Sequence, residues 1–261
     1  MQSKEGVRHG DLSGRVKIAT PNFFFEIFLS IAEALQRFEL VDLSHTLEEG
    51  MPRPQVPYGH ISWKSHSRGD SFNTFMVLVF EHAGTHVDAP VHLGGVEGPS
   101  IEDIPLERWM GDCCVLDMSH KREREFVSAE EIRAWEKAHG PIEEEAIVLF
   151  DFGWQKRWRA PSGVENQPFL RDNPGLSEEA ARYLAEKRVN LVGADTPTVD
   201  SYADPEERAH RVLLPRGILI LESAANLDRL PPRGAFFMAF PLKIRAGTGS
   251  PVRAIALVPR N

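Results

Sequence analysis

Apolar runs without polar alternation are the strongest constraint this chain places on its own fold. Cys113–Met118, Ala146–Phe150, Asn190–Gly193 and Ile218–Leu221 are such runs. A strand with one wet face alternates apolar and polar residues, because successive side chains point to opposite sides. Runs this uniform read as strands buried on both faces. Further strand-like stretches are Phe75–Phe80 and the pair Phe236–Ile244 and Val252–Val258, which flank Arg245–Pro251 as a hairpin loop. Helices are expected at 23–38, 128–138 and 177–188. Ser128 stands three residues before Glu131, the capping-box spacing, and His139-Gly140-Pro141 closes that helix. Ser177 caps the next one. Strands interleaved with helices predict an α/β architecture built on a mixed sheet.

Composition narrows the function. The chain has 261 residues, is 42% hydrophobic and 26% charged, and carries a formal net charge of -8. With no basic run to neutralise phosphates, a nucleic-acid partner is not expected. The two cysteines, Cys113 and Cys114, are adjacent, so no disulfide framework is implied and a reducing cytoplasm is the simple reading. The apolar stretch Asn22–Ala32 is interrupted by Glu26 and is too short to span a bilayer. It reads as a helix that docks on its own domain or on another subunit. No Gly/Ser linker divides the chain, which parses as an N-terminal arm, 1–39, and one domain, 40–261.

The chemistry concentrates in Phe80–His92, where His82, His86, His92 and Asp88 fall within eleven positions. Neutral imidazole and carboxylate are the usual ligands of catalytic Zn²⁺, Mn²⁺ or Fe²⁺. Gly84, Thr85 and Pro90 make the stretch a poor helix. In an extended chain His82, His86 and Asp88 share one face, and Gly84 between them leaves room for an ion. Structural zinc prefers a closed Cys/His set, and no cysteine is near, so a catalytic site with an open position is expected.

The segment His82-Ala83-Gly84-Thr85-His86-Val87-Asp88-Ala89-Pro90-Val91-His92 resembles the signature of the metal-dependent cyclase family, which includes bacterial kynurenine formamidases and isatin hydrolases. The resemblance runs from about Val41 to Val258. It takes in Val41-Asp42-Leu43-Ser44, Gly50-Met51-Pro52, Asp195-Thr196-Pro197-Thr198-Val199-Asp200, and His210 followed by Glu222. It implies a mixed-sheet swivelling β/β/α-type fold and a homodimer or homotetramer. It also implies that His82, His86 and Asp88 bind a first metal. Asp88 and Glu222 would bridge to a second, with His210 as its terminal ligand and His92 as proton donor and acceptor. One or two Zn²⁺ per chain are implied, with Mn²⁺ the alternative.

The reaction so implied is hydrolysis of a small amide, an arylformamide or a cyclic amide. A metal polarises the carbonyl and lowers the pKa of water to about 7. His92 would take the water proton and return it to the leaving nitrogen. Where the formamidases carry Trp after Pro52, this chain has Arg53, which points away from N-formylkynurenine. Trp63, Phe72 and Phe75 are candidate ring contacts, although such residues are more often core. The rival readings are a single-metal, isatin-hydrolase-like lactam hydrolase, a lactonase or cyclase, and a metal-binding interaction protein without turnover.

Overall fold

The structure, a computed structural model, describes residues 32–52, 56–158 and 168–260. Arg53 and most of the helix expected at 23–38 lie outside them. The chain divides into two compact units, residues 1–38 and Glu39–Asn261. In the first, residues 32–35 are helical. No helix among the described residues is long and apolar enough to cross a membrane.

In chain order the elements are β1 (Phe38–Asp42), β2 (Gly59–Lys64), β3 (Thr74–Leu78), β4 (His86–Asp88), β5 (Met110–Asp117) and β6 (Phe126–Val127). They continue with α1 (Ala129–His139), β7 (Ile147–Asp151), β8 (Gly175–Leu176), α2 (Glu178–Glu186) and β9 (Leu191–Ala194). The last are α3 (Arg208–Leu213), β10 (Leu219–Glu222), β11 (Ala235–Met238), β12 (Gly249–Pro251) and β13 (Ile255–Pro259). Among the described residues the main sheet runs β1-β13-β11-β5-β7-β9-β10-β4-β12. Its centre, β5-β7-β9-β10, is parallel, and β11 and β4 join it antiparallel on either side. The expected mixed α/β sheet is observed.

The uniform apolar runs are explained by what covers each face. Cys114 and Leu116 of β5, with Val148 and Phe150 of β7, pack against Ile132 of α1 and Leu184 of α2. The alternate residues Cys113, Val115, Ile147 and Leu149 face Val41, Trp109 and Phe237 on the other side. Each fully buried Leu, Ile or Phe contributes ~1.5–3 kcal/mol of transfer free energy, so uniformity of pattern becomes stability only because both faces are covered. Helix α1 carries the expected capping box of Ser128 and Glu131, and Ser177 caps α2 by accepting from the Ala180 amide.

One expectation needs correction. Residues 245–251 are not a simple hairpin loop. β11 and β13 do pair antiparallel, but Gly249–Pro251 leaves them to form β12 on the free edge of β4, with Gly249 opposite Asp88. Trp63, Phe72 and Phe75, the candidate ring contacts, are not core residues. They lie on or beside the β2–β3 ribbon, where Trp63 and Phe72 are 62% and 72% exposed. A two-stranded ribbon offers its side chains no second layer of its own, so apolar pattern alone cannot bury them.

Candidate metal centre

Strand β4 lies between β10 and β12, and its register fixes the site. His86 is opposite Glu222 and Asp88 is opposite Ile220. Directly opposed residues share a face, as do residues two apart on one strand. His86, Asp88 and Glu222 are therefore aimed together, and all three are buried.

His82 reaches the same point by another route. Residues 81–85 form a turn, not an extended strand, so the parity argument holds only for His86 and Asp88. Gly84 does not make room for an ion. Its φ is +67°, a left-handed conformation that suits glycine, and a Cβ there would lie 2.4 Å from Leu47 Cδ2. The turn brings His82 Nδ1 to 2.7 Å from Asp88 Oδ1. His210 is also buried, on α3.

The two carboxylates each present one oxygen to one histidine and the other oxygen to another. Asp88 Oδ1 is 3.6 Å from His86 Nε2, and Asp88 Oδ2 is 3.5 Å from His210 Nε2. Glu222 Oε2 is 3.3 Å from His86 Nε2, and Glu222 Oε1 is 3.3 Å from His210 Nε2. Two ligand atoms ~2.1 Å from a tetrahedral zinc lie about 3.4 Å apart, so these gaps suit a shared cation. Asp88 Oδ2 is buried without a hydrogen-bond partner among the described residues, a costly state that a cation would relieve. The donor set fits a divalent metal.

The outer nitrogen of each imidazole is occupied. His86 Nδ1 is 2.9 Å from the Gly84 carbonyl, His210 Nδ1 is 2.5 Å from Asp200 Oδ2, and His82 Nε2 is 2.9 Å from Thr248 Oγ1. Such contacts leave the other ring nitrogen to face the centre. Asp200 is buried and also accepts from the Ala209 amide. His92 sits at the exposed rim, its ring stacked on His82 at 3.9 Å and 6.2 Å from the ring of His210.

The charges follow from this packing. Burial opposes the charged form of His86, but Glu222 and Asp88 outweigh it and raise the imidazole to about 9. His210 is raised too, as Asp200, Asp88 and Glu222 overcome its burial. Burial favours neutral Asp88 and Glu222, yet the facing histidines hold both carboxyls below their ordinary values. Protons on His86 and His210 would thus compete with a cation, whose uptake would release them. Desolvation pushes His92 the other way, below its usual value.

The structure brings all the expected site residues, His82, His86, Asp88, His92, His210 and Glu222, into one cluster. The sequence reading gave no role to Asp200, Thr248 or Glu81. The Asp-Thr-Pro-Thr-Val-Asp and Gly-Thr-Gly-Ser stretches were the available signals.

The Cyclase family model matches residues 41–201, more than half of the chain. This chain belongs to the cyclase family. Among curated relatives, isatin hydrolase of Roseibium aggregatum is 33% identical, with 79% of this chain and 82% of that protein covered. Kynurenine formamidase of Bacillus thuringiensis is 30% identical over 83% of this chain and 96% of its own. A crystal structure of an isatin hydrolase bound to the product analogue thioisatinate matches with a TM-score of 0.80 and 28% identity, covering 93% of this chain and all of that one. A potential metal-dependent hydrolase with cyclase activity matches at a TM-score of 0.66 and 25% identity, covering 86% and 100%. This cyclase-family chain is a metal-dependent hydrolase.

Proposed function

We propose that this chain hydrolyses the C–N bond of a small amide, other than a peptide bond, at a centre of two divalent cations. The observation that carries the reading is the divided aim of Asp88 and Glu222, each turning one oxygen to His86 and the other to His210. His82, His86, Asp88, His210 and Glu222 would hold the ions, and the nitrogen and oxygen donors suit Zn²⁺ or Mn²⁺. A bound divalent ion would supply carbonyl polarisation and a water of lowered pKa.

The remaining work falls to the chain. Desolvation lowers the His92 pKa and so favours the neutral imidazole, the form that can accept a proton from the attacking water. From the rim it returns that proton to the departing nitrogen, without which the intermediate would expel water. The rings of His82, His92 and Phe80 line one side of the centre, with Phe80 and His82 centroids 5.5 Å apart and His92 stacked on His82 at 3.9 Å.

In this reading residues 40–261 are the hydrolase domain, residues 1–39 an arm, and the protein is cytoplasmic. The exposed apolar ribbon, with Trp63, Met76 and Val77 about half to two-thirds accessible, supports a homodimer or homotetramer. Turnover of a panel of aryl formamides and cyclic amides, with and without chelator, tests the reading. Chelator-sensitive hydrolysis that Zn²⁺ or Mn²⁺ restores is expected; hydrolysis indifferent to chelator would refute it.

A further inference from the structure

The loop that was expected to be a simple hairpin has a specific relation to His82. Thr248 Oγ1 lies 2.9 Å from His82 Nε2, and it donates to Glu81 Oε2 at 2.8 Å. The Thr248 amide also donates to Glu81 Oε2, at 3.0 Å. The next residue packs on the ring itself: a Cβ on Gly249 would fall 2.4 Å from His82 Cε1 and 2.8 Å from Nδ1. Backbone pairing holds the loop there, through the Ala89 amide donating to the Thr248 carbonyl and Gly249 standing opposite Asp88.

The direction of this chain of hydrogen bonds is determined by its ends. A carboxylate only accepts, so the Thr248 hydroxyl spends its single proton on Glu81. Its oxygen then has lone pairs alone to offer His82, which must donate from Nε2. Nδ1 faces the centre 2.7 Å from Asp88 Oδ1, another acceptor, and holds that hydrogen bond until a bound cation would take the place of its proton.

We propose that Glu81, Thr248 and Gly249 are positioning residues that fix the tautomer and ring plane of His82. Glu81 orients the Thr248 hydroxyl, the Thr248 oxygen accepts the hydrogen bond from Nε2–H, and Gly249 lets the loop close against the ring. This rests on His82 facing a metal, as in the function proposed above. Outer partners of metal-bound histidines affect affinity by ~10–100-fold when removed. The His86 partner is a backbone carbonyl that no side-chain change deletes, whereas the His82 partner is a single hydroxyl.

Thr248→Val removes that hydroxyl and keeps the amide bond to Glu81 and the β-branched shape. Thr248→Ser restores the hydroxyl. Two readouts apply: zinc affinity by competition with a chromogenic chelator, and the His82 Nε2–H resonance by nitrogen-15 NMR of the metal-free protein. Thr248→Val is expected to weaken zinc binding ~10–100-fold and to lose the slowly exchanging Nε2–H signal, with Thr248→Ser recovering both. Gly249→Ala, which forces the ring aside, is expected to weaken zinc with the hydroxyl still present. Zinc affinity within twofold of the parent in Thr248→Val, or an unaltered Nε2–H signal, would overturn the proposal. A parent protein that takes up no zinc would refute the metal reading, while the NMR signal would still decide the relay.

Discussion

The two sides of the centre are built differently. His82, His86 and Asp88 lie within seven consecutive positions, on one turn and the short strand that follows it. His210 and Glu222 come from a helix and a separate strand; Glu222 reaches the same point because β10 pairs with β4, and His210 reaches it from α3. The local side therefore depends on a turn, and the remote side depends on sheet register. The outer contacts also differ from one histidine to the next. His86 is steadied by its own turn through the Gly84 carbonyl, whereas His210 is steadied by Asp200, a buried carboxylate.

Substitutions can break this contrast in graded steps. The largest effect is expected from Asp88→Ala, since Asp88 serves both sides: bound metal and turnover should both disappear, as read by elemental analysis and amide hydrolysis. His92→Ala should keep its metal and lose ~10²–10⁴-fold in turnover, the range for a proton-transfer residue. An equal loss of metal would make His92 a ligand instead. His210→Ala should strip the remote side alone, reducing the metal content to about half while the local side stays loaded. Asp200→Asn leaves His210 in place but removes its charged partner, and a ~10–100-fold loss of affinity for the more weakly held ion is expected in a chelator titration.

The smallest effect concerns a histidine outside the cluster. His45 stacks flat on Trp158 at 4.0 Å, and burial lowers its pKa to about 4 despite the Ala224 carbonyl and Asp42. The unfolded chain takes up this proton near pH 6.5 and the folded chain does not, so the folded state loses stability as pH falls from about 6.5 to 4. The loss amounts to about 3 kcal/mol across that window and is absent above it. His45→Phe, which keeps the stack, should flatten that part of the acid limb in denaturant titrations. An unchanged slope would assign the acid sensitivity to other groups.

The local side was legible because ligand chemistry and spacing lie together in one segment. The central strands were legible for a comparable reason: Cys113–Met118 and Ala146–Phe150 lack alternation, and both faces of β5 and β7 are covered. His210 and Glu222 were legible only through the family resemblance, and what escaped was the strand pairing of residues 249–251 and the distant hydrogen bonding. Gly84 was read as space for an ion, yet it serves a left-handed turn packed on Leu47. Residues 245–251 were read as a turn because Gly and Pro mark turns, yet Gly249–Pro251 pairs with β4. Thr248 stands 166 positions from His82, and no local pattern links them. The exposed ribbon was missed because apolar sequence does not say whether a second layer exists.

The central claim is a centre with two sides joined by Asp88 and Glu222. Its most direct test is metal per chain by elemental analysis, in protein purified without chelator and then equilibrated with Zn²⁺ or Mn²⁺, for the parent and for His210→Ala. The account predicts about two ions per chain in the parent and about one in the variant. The same metal content in both proteins would contradict it.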